Sequence, residues 1–172
     1  MENVDEVVEH LLPELDVCLD AIDGHIEKAA LIATCAANGI SVVTCGGAAG
    51  RMDPSQIVCE DLTKVQEDKL LFQCRKRLRQ IHGFEKGPGK GQKNNHKFKA
   101  WNILAVFSTE RQKAVPQDTI SGSSLRRCDG ALGTACFVTG TYGFVAASQV
   151  VSMIANDKLL TPVMGAHTAN SS

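Results

Sequence analysis

The chain has no Cys-x-x-Cys pair, no Gly-x-Gly-x-x-Gly loop and a formal net charge of only −1. Each absence excludes something. Seven cysteines scattered through apolar runs, with no paired spacing, do not read as a zinc site. They read as mostly buried thiols in a reducing compartment. A charge near zero gives no global attraction to nucleic acid, so any such contact must be local. The opening ten residues, MENVDEVVEH, are acidic and poor in apolar groups, which excludes a secretory signal and an Arg-rich transit peptide at this position. The missing glycine loop removes the usual opening of a dinucleotide site, together with the acid about twenty residues beyond it. A nucleotide-binding fold in this chain is therefore expected to begin in its middle.

What is present suits one domain. At 172 residues, with 44% apolar and 22% charged residues, the chain is long enough to bury a core. Its organising stretch is 15–39. Leu15, Val17, Leu19 and Ile22 make a short apolar run ending in Asp20 and Asp23. Residues 27–38 follow with helical spacing (Ala30, Leu31, Thr34, Cys35, Asn38), and Gly39 stands where a helix end favours positive φ. Residues 40–45 are a second β-branched run, closed by the glycine-rich loop 46–50. Strand, helix and strand in about thirty residues predict a right-handed βαβ crossover with parallel strands. Ligands in such sheets sit beyond the carboxyl ends of the strands, where Asp20, Asp23 and loop 46–50 all fall.

The rest of the chain divides in order. Residues 1–14 carry Val4, Val7, Val8, Leu11 and Leu12 on one helical face. Residues 57–59 predict a short strand after an Asp-Pro turn. Residues 67–82 predict a helix with Leu70, Leu71, Cys74 and Leu78 on its apolar side and Arg75, Lys76, Arg77 and Arg79 opposite. Between Arg75 and Lys99 lie nine of the chain's eighteen Lys and Arg residues, including Lys90, Lys93 and Lys97, against one acid, Glu85. That strip reads either as a solvated face with a long loop or as a landing strip for a polyanion such as tRNA. Residues 102–107 alternate as a strand, and 113–127 are polar loop. The uncharged stretch 130–156 is long enough to span a bilayer, but its Gly, Thr and Ala content favours a packing helix.

Three groups have chemistry available. Paired carboxylates at a strand end, Asp20 and Asp23, suit Mg²⁺ on a nucleotide because hard oxygens match that ion; equally, either caps the next helix. Lys28, one turn into that helix, is placed to meet phosphate. Gly46 and Gly47 allow backbone N–H groups to approach an anion, or form only a tight turn. Cys128 lies beside Arg126 and Arg127 and before a predicted helix, two features that favour thiolate. It is a reactive thiol or a partly buried one.

These residues resemble a known family. DAID before a helix, GGAAGRMDPSQI, LRQIHGF after a basic helix, VFSTE and CDGALGTACFVTGTYGFVA stand in the same order in the tRNA threonylcarbamoyladenosine dehydratases. These are members of the ThiF/MoeB superfamily, related to the ubiquitin-activating enzymes. The resemblance implies an α/β, Rossmann-like ThiF-type fold lacking its N-terminal glycine-rich half. It covers roughly the back two-thirds of such an enzyme, as one partial domain over 1–172: 15–61 half of the nucleotide site, 66–99 the basic helix and loop, 102–156 the last strand and helix. The activity it implies uses ATP and Mg²⁺ to activate the threonylcarbamoyl carboxylate on tRNA adenosine, followed by ring closure from the carbamoyl side. Asp23 then matches the acid near the phosphates and metal, and Lys28 a basic residue that often follows. The strip from Arg75 faces tRNA, and the last helix supports a homodimer. Gly24 departs from the Asn common in the superfamily, and loop 86–99 is unusually rich in lysine. The relatives' glycine-rich half is not in this sequence, which implies at most half an ATP site: either a fragment with little activity, or a reading of the gene that has lost its upstream part. Bacterial relatives are cytoplasmic, while fungal ones associate with the mitochondrial outer membrane.

Three other functions would each demand a different feature. Adenylation of a ubiquitin-like or sulfur-carrier protein would call for a zinc Cys-x-x-Cys pair or a dedicated cysteine domain. A non-catalytic module would dimerise or dock on tRNA without hydrolysing ATP. A nicotinamide oxidoreductase is disfavoured because no hydride-transfer constellation is visible.

Overall fold

A computed structural model describes residues 14–85, 99–111 and 133–165. The predicted helix over 1–14, all but its last residue, and the polar loop 113–127 therefore lie outside the described residues. In chain order the elements are β1 (Val17–Asp20), α1 (His25–Ala37), β2 (Ser41–Cys45), β3 (Ile57–Asp61), α2 (Lys69–Ile81), β4 (Ile103–Ser108) and α3 (Cys136–Ala155). Short 3₁₀ turns at Pro54–Gln56 and Leu62–Lys64 flank β3.

The four described strands form one sheet in the order β1-β2-β4-β3. β1, β2 and β4 are parallel, with Val17 beside Ser41 and Val42 beside Ile103. β3 runs antiparallel to β4. The predicted crossover is thus present, and β3 extends two residues beyond its predicted end.

Helices cover both faces of the sheet. β2 is accordingly buried at all five positions, as a central parallel strand must be. The pleat sends Val42, Ile103, Ala105 and Phe107 to one side, where they meet Ile32 and Cys35 of α1 and Leu71, Cys74 and Leu78 of α2. It sends Val43, Cys45 and Val106 to the other side, against Val138, Tyr142, Ala146 and Met153 of α3. Two cores on one sheet make a three-layer α/β/α arrangement.

α1 ends as its sequence predicts. Gly39 has φ +72°, its N–H donates to Ala36 O at 3.3 Å, and the Ile40 N–H reaches back to Cys35 O at 2.9 Å. This pair of bonds is the Schellman motif, which needs a left-handed residue at the turn. The Asp68 carboxylate caps α2 by accepting from Leu71 N–H at 2.9 Å.

α3 is long and apolar enough to cross a membrane by length and composition. It packs one stripe on the sheet and leaves Phe137, Phe144, Val151 and Ile154 exposed. The helix predicted from Gly130 starts later: residues 130–132 lie outside the described residues, and 133–135 are not helical, with Ala135 as the N-cap.

Candidate functional site

Three parallel strands end at one edge of the sheet, in Asp20, Cys45 and Ser108. β3 starts there too, because Ile57 pairs with Ser108. The β1–α1 turn carrying Asp23, loop 46–50 and the start of α2 therefore converge on this edge.

Asp20 and Lys28 meet there, in the interior. The Lys28 ammonium donates to Asp20 Oδ2 at 2.6 Å, Thr44 Oγ1 at 3.1 Å and Cys45 O at 3.0 Å. Three acceptors match its three protons. Thr44 Oγ1 also donates to Asp20 Oδ2 at 2.6 Å. Both charged side chains are fully buried. The sequence placed Lys28 against phosphate; the fold turns it inward beneath the strand ends, where it neutralises Asp20. Nor does Asp20 cap α1: the N-cap is Gly24 and no side chain bonds there. Instead Asp20 Oδ1 accepts from Ile22 N–H at 2.9 Å and so shapes the turn that carries Asp23. Asp23 itself is exposed. Of the two carboxylates, only Asp23 is exposed.

Loop 46–50 is held from within by Arg51, which is 1% exposed. Its guanidinium donates to Gly47 O (2.9 Å), Ser108 O (2.9 Å), Glu110 O (2.6 Å) and Glu67 O (2.8 Å). Four carbonyls from three chain segments are thereby drawn together. Asp68 Oδ2 lies 3.7 Å from Arg51 and accepts from Gly47 N–H at 2.9 Å. Burial pushes the Asp68 carboxyl above its ordinary range, opposed by its backbone hydrogen bonds and by Arg51. Tyr142 adds a hydrogen bond from its hydroxyl to Gly47 O at 3.3 Å, and burial pushes that hydroxyl up to about 12.

Glycine at position 46 has a steric reason, since a Cβ there would collide with Asp68 Oδ2. Gly46 N–H donates to Val106 O at 2.8 Å, so the N–H groups of Gly46 and Gly47 are both taken by the protein. The anion cradle expected of these two residues is not formed; the tight-turn alternative is. On the outer side of the loop, Glu110 Oε2 accepts from Met52 N–H (2.9 Å) and Asp53 N–H (3.0 Å).

The basic helix is less uniform than its sequence. Lys76 is exposed, while Arg75, Arg77 and Arg79 are half-buried. Arg75 donates to Thr63 O at 3.0 Å, and burial pulls its guanidinium below the ordinary value, with Arg79 adding to the shift. Lys90, Lys93, Lys97 and Cys128 lie outside the described residues.

Among the described residues no cluster of three metal-ligating side chains occurs. A shallow groove of about 370 Å³ between Ala33, Thr34, Ala37, Ile81, His82 and Met164 lies at the far ends of α1 and α2, away from this edge. Sequence reasoning missed Arg51, Asp68, Glu110 and Tyr142. Only Asp68 carried a local signal, a capping residue before an amphipathic run.

No family model matches the chain. Two curated relatives do: tRNA threonylcarbamoyladenosine dehydratase of Haemophilus influenzae, 42% identical over 147 residues, and that of Escherichia coli, 37% identical over 155 residues. These alignments take in 84% and 86% of this chain but 51% and 54% of the relatives. The chain thus spans about half the length of the relatives it matches. Among solved structures, the E. coli dehydratase TcdA in complex with AMP superposes with a TM-score of 0.69 at 35% identity, over 90% of this chain and 55% of that one. The same enzyme in complex with ATP gives 0.69 at 34% identity, over 90% and 54%. The chain is a homologue of the tRNA threonylcarbamoyladenosine dehydratases that matches about half of their length and carries the ThiF-type α/β fold.

Proposed function

We propose that this chain takes part in ATP-dependent cyclisation of N6-threonylcarbamoyladenosine in tRNA, with ATP phosphates and Mg²⁺ at the carboxyl edge of the sheet. The observation that carries this is the match, over 90% of the chain, to an enzyme solved with AMP and with ATP. The edge fits such a ligand in two respects. Asp23 offers an exposed hard-oxygen donor immediately before the N-cap of a helix that no side chain caps, and a helix N-terminus favours anions. Lys28, Gly46 and Gly47 act on the ligand only indirectly, by holding the turns around it. When bound, ATP supplies the activating group for the threonylcarbamoyl carboxylate. The chain's own part is to hold the metal-bound phosphates through Asp23 and the adenosine-bearing RNA through Lys76, Arg79 and the lysines of 86–99.

The α3 face bearing Phe144 serves a homodimer in this reading, and the compartment is the cytoplasm. The test is to incubate the chain with ATP, Mg²⁺ and tRNA bearing the modified adenosine, then digest to nucleosides and weigh them. A product lighter by one water, lost in Asp23→Asn, is the expected result. RNA binding with a steep salt dependence and no product would instead support the non-catalytic module. If the product forms at the parental rate in Asp23→Asn, the role given to that carboxylate is wrong.

A further inference from the structure

α2 turns an aromatic side chain outward among positive charges. Leu71, Cys74 and Leu78 are buried in the core, which fixes the roll of the helix. Phe72 is thereby held on the outer side, 51% exposed. Residues three, four and seven apart share a helix face, so Phe72 is bordered by Lys69, Arg75, Lys76 and Arg79. The helix runs KLLFQCRKRLRQI and carries no acidic residue. A lone exposed phenylalanine is ordinary; a ring bordered by cations on both sides along a helix is a surface of a different kind.

Arg75 is fixed in place by its hydrogen bond to Thr63 O at 3.0 Å. Burial first, and then the charge of Arg79, pulls Arg75 below its ordinary value. The two guanidinium groups are thus close enough to repel, and a bound anion relieves that repulsion. The face also starts beside the candidate site. Asp68, the cap of α2, accepts from Gly47 N–H at 2.9 Å, and Phe72 follows four residues on, about 6 Å along the axis. A polyanion laid along this face therefore passes next to the carboxyl edge of the sheet.

We propose that Phe72 is a stacking platform for an unpaired base of bound RNA, with Lys69, Arg75, Lys76 and Arg79 on the phosphates to either side. Every base offers a π face, so an aromatic ring set among cations holds base and backbone together. Nucleic acid supplies an anion and a π face in one repeating unit, whereas an acidic protein satisfies the charges and leaves the ring unused. Bases inside a duplex keep their faces stacked on one another, so this surface selects single-stranded over double-stranded RNA. Phe72 serves the RNA placed above on Lys76 and Arg79, and its role depends on RNA binding by this chain.

The test titrates the full chain into two labelled RNAs and reads anisotropy: an anticodon-arm stem-loop with an unpaired loop, and a duplex of equal length. Phe72→Ala should weaken stem-loop binding by about 5- to 150-fold. Duplex binding and the salt slope should stay unchanged, since no charge is removed; retained duplex binding also reports that the variant is folded. Phe72→Leu should behave like Phe72→Ala, and Phe72→Tyr like the parent. In Phe72→Trp, the stem-loop should quench the added fluorescence over the background of Trp101, which is 2% exposed. If Lys76→Glu with Arg79→Glu loses the stem-loop while Phe72→Ala keeps it, the RNA reading stands and the stacking role is wrong. Full rescue by Phe72→Leu, or an equal loss on the duplex, would replace stacking by ordinary packing. A parental chain that binds neither RNA would overturn both. Poly-glutamate bound as tightly as the stem-loop, and weakened as much by Phe72→Ala, would assign the face to an acidic protein instead.

Discussion

Lys28 and Asp20 illustrate how much depends on a single buried charge. The pair is fully enclosed, so Lys28→Met would leave a carboxylate inside the protein with hydrogen bonds but no counter-charge. Removing one partner of such a pair costs about 3–5 kcal/mol. We expect Lys28→Met to lower the unfolding free energy from urea titration by that amount, with a matching fall in midpoint, and Lys28→Met with Asp20→Asn to recover part of it. An unchanged midpoint in the single variant would mean that the carboxylate reaches solvent or takes up a proton at little cost.

The outer loop responds to acid in a predictable direction. Hydrogen bonds from Ser55 and Gln56 hold Asp53 below the ordinary carboxylate range. Backbone N–H groups of Asp53 and Met52 do the same for Glu110. A carboxylate depressed in the folded state contributes stability in full above its unfolded pKa, near 4, and loses it as pH falls through the folded value. Protection of the Met52 and Ser55 amides against hydrogen exchange should therefore drop below about pH 4. Protection that stays constant or rises on acidification would show that these carboxylates do not hold the loop. Asp68 has the opposite sign, since burial raises it; its contribution is largest in acid and falls as pH rises through its folded pKa.

Secondary elements were legible where one local rule dominates. Helix α1 could be read from its spacing, and its end from Gly39, because a left-handed residue is a backbone requirement visible in one letter. A Cβ at Gly39 meets nothing within 4 Å, so Gly39→Ala tests strain alone, without a clash. We expect a cost of about 1 kcal/mol in urea unfolding, smaller in Gly39→Asn; no cost would contradict the φ of +72°. Helix α2 was legible as basic and amphipathic, but not in the division of labour among its arginines. The bond from Arg75 to Thr63 O and the partial burial of Arg77 depend on what packs beside the helix. Lys76→Glu with Arg79→Glu is therefore a cleaner probe of RNA contact than reversing all four charges.

Helix α3 leaves large apolar side chains exposed on one face of the molecule. Its exposed Phe137, Phe144 and Val151 recur every seven residues, and Phe144 is 80% exposed. Covering such a phenylalanine is worth roughly 1.5–3 kcal/mol. If a second copy covers this face, Phe144→Glu should turn a dimer into a monomer across a concentration series in analytical ultracentrifugation, with the helical circular dichroism unchanged. A wild-type chain that sediments as a monomer at every concentration would end that reading.

The strand–helix–strand core, the parallel pairing of β1 with β2 and the edge that collects Asp20, Asp23 and loop 46–50 all followed from hydrophobic period, glycine placement and crossover handedness. These are local or topological rules, and each can be applied to a short run of residues. The partners of the polar groups were decided only when distant segments came together. Lys28 turns inward because Asp20, Thr44 and Cys45 O surround its end. Gly47 N–H is taken because Asp68, twenty-one residues away, caps α2 beside it. Arg51 is a hub because the ends of β2 and β4 and the approach to α2 converge on it. A buried donor must find an acceptor, but which acceptor it finds is set by strand order and helix packing, and no local pattern contains that.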